Sequence, residues 1–67
     1  MLRHNFKSAR LDCDLTQREL AEVVGVTENY IRQVENGRRD PRGKVMLHIS
    51  RALRRPSEEL FEDLLDE

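Results

Sequence analysis

Four polar residues, Glu28, Asn29, Arg32 and Gln33, recur at the spacing that one side of a helix requires. At about 100° per residue, with Glu28 at 0°, Arg32 falls at about 40°, Asn29 at about 100° and Gln33 at about 140°. Ile31 and Val34 fall on the other side, at about 300° and 240°. Any surface helix has a polar stripe, but the composition of this one is unusual. Asn and Gln can bond adenine through two atoms in a DNA major groove, Arg can do so with guanine, and Glu can accept from cytosine. A face tuned only for solubility would carry Lys–Glu pairs instead. Glu28 stands four residues before Arg32, the favourable order for a helical ion pair, so it can hold Arg32 in a base-reading rotamer. Tyr30 lies on the flank of the buried side, where a phosphate contact through its hydroxyl and packing at the core edge are both open.

Such a stripe is useful only if its helix is short and held at both ends. Thr27 caps its start, with Val26 and Ile31 at the spacing of a hydrophobic staple, and Asn36-Gly37 stops it. The preceding segment, Leu15-Thr16-Gln17-Arg18-Glu19-Leu20, holds a capping box between Thr16 and Glu19 and a staple between Leu15 and Leu20. It predicts a second helix from Gln17 that closes at Gly25. Two helices joined by about three residues must turn sharply rather than run antiparallel. Ala21 is small enough to let them approach, so residues of about 17–36 read as a helix-turn-helix.

Helical spacing also predicts a first helix over about 2–12, through Leu2, Phe6 and Ala9. A fourth over about 43–54 carries Val45, Met46, Ile49, Ala52 and Leu53 and stops before Pro56. A last helix over about 57–65, capped by Ser57, carries Leu60, Phe61, Leu64 and Leu65. No stretch alternates apolar and polar as a strand would, so the expected fold is all-α, a compact five-helix domain spanning 1–67.

The formal net charge of −1 conceals an asymmetry. Six acids and no base follow Ser57, which leaves residues 1–55 with twelve bases against seven acids. Seven of those bases lie between Arg38 and Arg55, a basic surface followed by an acidic tail. A chain of 67 residues buries only about 60% of its unfolded surface, so a second copy would help stabilise it. The lone Cys13 excludes an internal disulfide and suits a reducing interior. No apolar run could cross a bilayer and no secretory leader is recognisable, so a cytoplasmic, nucleoid-associated location in a bacterium or its phage is expected.

The stretch LTQRELAEVVGVTENYIRQVENGRRDP closely resembles the helix-turn-helix core of lambdoid phage repressor and Cro proteins and their bacterial XRE-type relatives. The resemblance spans about residues 3–65 and is most specific in Leu15-Thr16-Gln17, Glu19-Leu20-Ala21, Gly25-Val26-Thr27, Ile31 and Glu35-Asn36-Gly37. It implies a lambda-repressor-like domain whose third helix enters the major groove of an operator. By this resemblance Glu28, Asn29, Arg32 and Gln33 read bases. Gln17, Thr27, Asn36, Arg38, Arg39, Arg42 and Lys44 contact phosphates, Gln17 at a helix N-terminus that attracts anions. Arg10 and Glu35 match a structural ion pair. The resemblance further implies a homodimer on a pseudo-palindromic site, with Leu60, Phe61, Leu64 and Leu65 as candidates for the dimer surface. Two positions depart from the pattern. Asp14 replaces a glycine, and Arg54-Arg55 replace a glycine and an aliphatic residue.

The expected function is therefore a sequence-specific regulator of transcription, a homodimeric repressor of double-stranded DNA. The rival reading is a protein-interaction module of antitoxin type with DNA binding secondary. It has no need of Asn29, Arg32 and Gln33 beside a basic loop. RNA binding would want stacking aromatics on the exposed face, where there are none. Enzymatic chemistry is not expected. His4 and His48 have no partners at metal spacing, no serine has a neighbouring base, and no glycine-rich phosphate loop occurs. No metal, cofactor or small-molecule ligand is expected.

Overall fold

Local signals place most helix boundaries. The structure, a computed structural model, describes residues 1–65 and is all-helical over them. Its elements are α1 (His4–Asp12), α2 (Gln17–Val24), α3 (Glu28–Glu35), α4 (Gly43–Leu53) and α5 (Ser57–Leu60), followed by a 3₁₀ turn, Glu62–Leu64. Asp66 and Glu67 of the acidic tail lie outside the described residues. No helix among those described is long and apolar enough to cross a membrane.

The core is one cluster fed by every helix: Phe6 and Ala9, Leu20, Ala21 and Val24, Ile31 and Val34, Ile49 and Leu53, and Leu60 with Phe61. Burying a large apolar side chain contributes about 1.5–3 kcal/mol relative to leaving it exposed. Ala21, 2% exposed, sits where α2 meets α3 and leaves room for the close crossing.

Helices α1, α2, α3 and α4 each end on a left-handed residue: Asp14, Gly25, Gly37 and Arg54, with φ of 58°, 86°, 72° and 58°. That residue lets the chain fold back so that amides beyond the helix bond its last carbonyls. Asp14 keeps the turn that the missing glycine would have made, as its short polar side chain allows. At Gly37 the demand is twofold, because a Cβ would also run into the Met1 carbonyl. Arg54 is the costly case. Its backbone adopts a conformation that penalises a side-chain-bearing residue by about 1–2 kcal/mol. The turn is clasped by Arg55 N–H on the Ser50 carbonyl at 3.3 Å and by the Ser50 hydroxyl on the Arg55 carbonyl at 2.7 Å. Arg54→Gly is expected to stabilise by about 0.5–1 kcal/mol, the relief of strain less the added freedom of the unfolded chain. Thermal melting should show a rise of about 4 °C, and Arg54→Ala none.

Three expectations are corrected. Helix α1 starts at His4 rather than residue 2, because Arg3 is extended and donates its N–H to the Glu35 carbonyl at 2.8 Å. The last helix does not run to 65. It breaks at Phe61 (φ −125°, ψ 42°), since neighbouring residues on a regular helix point about 100° apart and both Leu60 and Phe61 must enter the core. The break turns Phe61 against Phe6, with ring centroids 5.9 Å apart. Ser57 does not cap α5. It is the first helical residue, and its hydroxyl faces the Glu58 carboxylate at 3.4 Å.

Candidate nucleic-acid interface

The two helices of the motif carry the caps that the sequence specifies. At α2 the Glu19 N–H bonds the Thr16 hydroxyl at 3.0 Å, and the Thr16 N–H bonds the Glu19 carboxylate at 2.9 Å. At α3 the Thr27 hydroxyl accepts the Tyr30 N–H at 3.0 Å. Ile31 and Val34 of α3 are fully buried, while Glu28, Asn29 and Arg32 are exposed and Gln33 is half-buried. The stripe is bonded to itself. Arg32 donates to the Glu28 carboxylate at 3.4 Å and to the Asn29 side-chain oxygen at 3.2 Å.

Past Gly37 the chain doubles back over the end of α3. The Arg38 N–H bonds the Gln33 carbonyl at 2.9 Å and the Gly37 N–H bonds that of Val34 at 3.0 Å. This sets Arg38 and Arg39 beside the stripe. Arg38, Arg42 and Lys44 are exposed, and among the described residues their side chains have no hydrogen-bond or ion-pair partner. Arg39 instead turns back: its Nε donates to the Gln33 Oε1 at 3.2 Å and its guanidinium lies over the Tyr30 ring, 5.2 Å from the centroid. Asn36 is exposed, and its carbonyl accepts the Met1 amine at 3.0 Å.

Gln17, at the start of α2, is tied inward. Its amide donates to Glu35 at 3.3 Å, and Glu35 holds Arg10 through two bonds of 2.7 and 3.2 Å. Glu35 and Arg10 are 3% and 7% exposed, so α1, α2 and α3 meet at a buried charged junction. One amide hydrogen of Gln17 and the free N–H groups of the helix start remain for an anion.

A second junction was not anticipated. Arg3, only 4% exposed, spends its whole guanidinium on four partners. It donates to Asp63 at 3.0 and 3.1 Å, to Asp40 at 2.6 Å, and to the carbonyls of Val34 and Arg39 at 2.8 and 2.9 Å. It also stacks over Phe61 at 5.1 Å. The basic loop is therefore pinned at its backbone to the N-terminal segment and the C-terminal turn. The bond from Arg3 holds the Asp63 carboxyl below its ordinary pKa. For Arg3, burial pulls the pKa down, and the bonds to Asp63 and Asp40 more than reverse this. Arg3 precedes α1 in extended backbone, so helical spacing gave no signal for it.

Of the four apolar residues near the C-terminus, Leu60 and Phe61 are core, 1% and 2% exposed, and so are removed from any dimer surface. Leu64 and Leu65 are 41% and 62% exposed. They border a shallow apolar groove with Met46, beside the exposed Leu47.

A profile of the helix-turn-helix family matches residues 6–60. The chain belongs to the XRE-type helix-turn-helix family. Two proteins of Mycobacterium tuberculosis, from strains CDC 1551 / Oshkosh and ATCC 25618 / H37Rv, are each 40% identical over 55 residues, 82% of this chain. Both bear the description of uncharacterized HTH-type transcriptional regulators. The chain spans 39% of the length of each.

Proposed function

We propose that this XRE-type domain is a sequence-specific regulator of transcription, a homodimeric repressor that sets α3 into the major groove of a pseudo-palindromic operator. The observation that carries the reading is the exposed stripe of Glu28, Asn29, Arg32 and Gln33 opposite buried Ile31 and Val34, flanked by a loop with Arg38 and Arg39. Base edges are read by the stripe. Phosphates are held by Arg38, Arg42 and Lys44, and by Thr27, Asn36 and the start of α2 at Gln17, where free amides and the helix dipole favour an anion. Arg39 is close enough to contribute charge but is engaged by Gln33 and Tyr30.

Selection of bound duplexes from a random pool at fixed salt tests this. Asn29→Ala and Gln33→Ala should each cost about 1–3 kcal/mol on the selected site and relax one position of it. Arg38→Ala should weaken all sequences alike and lower the salt slope by about one. Equal losses on selected and random DNA for all three variants would refute the reading face.

The dimer surface that fits best is the shallow groove bordered by Leu64, Leu65 and Met46. Half-sites about one helical turn apart are expected on the operator. Leu65→Glu should shift sedimentation toward monomer and weaken operator binding while leaving the helical signal intact; an unchanged sedimentation profile would place the dimer contact elsewhere.

A further inference from the structure

The amides of the reading stripe are both already engaged through oxygen. Asn29 Oδ1 accepts from Arg32 at 3.2 Å, and Gln33 Oε1 accepts from Arg39 at 3.2 Å. The direction of these bonds follows from chemistry, since a guanidinium has donors and no acceptor. An amide facing it must present its oxygen and turn its NH₂ away. Arg39 is the better anchored of the two arginines. Its side chain lies over the half-buried Tyr30 ring at 5.2 Å, and its carbonyl is bonded by the buried Arg3 at 2.9 Å. Arg32 is held only within the exposed stripe, by Glu28 and Asn29.

Adenine is recognised by an amide that accepts from N6 and donates to N7 with both atoms presented together. Guanine offers two acceptors, O6 and N7, and asks only for donors. We infer that Arg39 is a positioning residue for specificity: by holding the Gln33 oxygen toward itself it leaves the NH₂ as the group turned outward, and so sets guanine over adenine at the base pair Gln33 reads. The inference rests on the proposed reading face and goes beyond it by naming the base and the residue that selects it. It also gives Arg39 a task that a phosphate contact does not share, since a phosphate contact carries no sequence information.

The test is selection from a randomised duplex pool at fixed salt, using the full chain and four proteins: wild type, Gln33→Ala, Arg39→Met and Tyr30→Leu. The position whose preference disappears in Gln33→Ala identifies the base pair read by Gln33. Wild type is expected to select guanine there. Arg39→Met frees the oxygen and should shift the guanine-to-adenine ratio at that position by about tenfold toward adenine, leaving the other positions as they were. Tyr30→Leu retains the Arg39 charge and removes its seat, so it should shift the same ratio in the same direction, by less. This variant keeps the inference open to refutation should Arg39→Met fail to fold. Adenine at the Gln33 position in wild type would overturn the inference while leaving the reading face standing. So would an Arg39→Met or a Tyr30→Leu protein that binds every sequence more weakly with its base preference unchanged. A wild-type pool with no enriched sequence would overturn the reading face itself, and the inference with it.

Discussion

Arg3→Met is expected to destabilise the protein by about 3–5 kcal/mol, the cost of removing one partner from a buried ionic cluster. A native stability of about 0.05–0.15 kcal/mol per residue means that this loss is between about a third and all of what a chain of 67 residues has. The physical reason is the number of groups left behind. The carbonyls of Val34 and Arg39 and the half-buried carboxylate of Asp63 lose their donor, and Phe61 loses the cation stacked on it. Asp40 is 56% exposed at its side chain and recovers water, so it adds little to the cost. Arg3→Lys should fall between, because one ammonium cannot span partners on the loop after α3 and on the C-terminal turn at once. Urea unfolding at neutral pH gives the measurement, and a loss under 1 kcal/mol for Arg3→Met would show that water replaces the guanidinium freely.

The same cluster sets a sign for acid behaviour. The bonds from Arg3 hold the folded pKa of Asp63 below the ordinary aspartate value, so the folded state favours its ionised form. Its contribution is fully present above the unfolded pKa and is lost as pH falls through the folded one. Stability should therefore fall below about pH 4, and Asp63→Asn should flatten that limb of the curve.

What the sequence revealed and what it hid divide by the distance over which residues act. The starts of α2 and α3 and the ends at Gly25 and Gly37 follow from contacts three to five residues apart, and a reader of Thr16-Gln-Arg-Glu19 can place them. Even the left-handed Asp14 follows from a turn that must close. The outward stripe is a matter of angle within one helix. The break at Phe61 is different, because nothing within the run Leu60 to Leu65 says which two apolar residues the core will take. Phe6 decides that from α1, and the resulting turn brings Asp63 to Arg3, separated by 60 positions in the chain. Arg39 stands between these cases. It lies six residues beyond Gln33, but it reaches that amide only because Gly37 reverses the chain and Arg3 holds the loop.

Glu35→Ala is expected to cost about 3–5 kcal/mol, since it strands the Arg10 guanidinium in the junction of α1, α2 and α3 with the Leu15 carbonyl at 2.7 Å as its remaining partner. The double variant Arg10→Met, Glu35→Leu should recover most of that loss. Replacing a buried pair by apolar residues of similar volume removes the desolvation cost together with the attraction, and the two nearly cancel. Coupling measured by a double-mutant cycle would therefore be large while the net worth of the pair is small. Function should separate from stability in this variant. Gln17 donates to Glu35 at 3.3 Å and would lose its anchor, so the refolded double variant should bind all DNA sequences more weakly with its base preferences intact. A double variant as unstable as Glu35→Ala would mean that the pair stabilises the fold in its own right. One that binds DNA like wild type would mean that the start of α2 holds its phosphate without help from the Gln17 side chain, through the backbone amides alone.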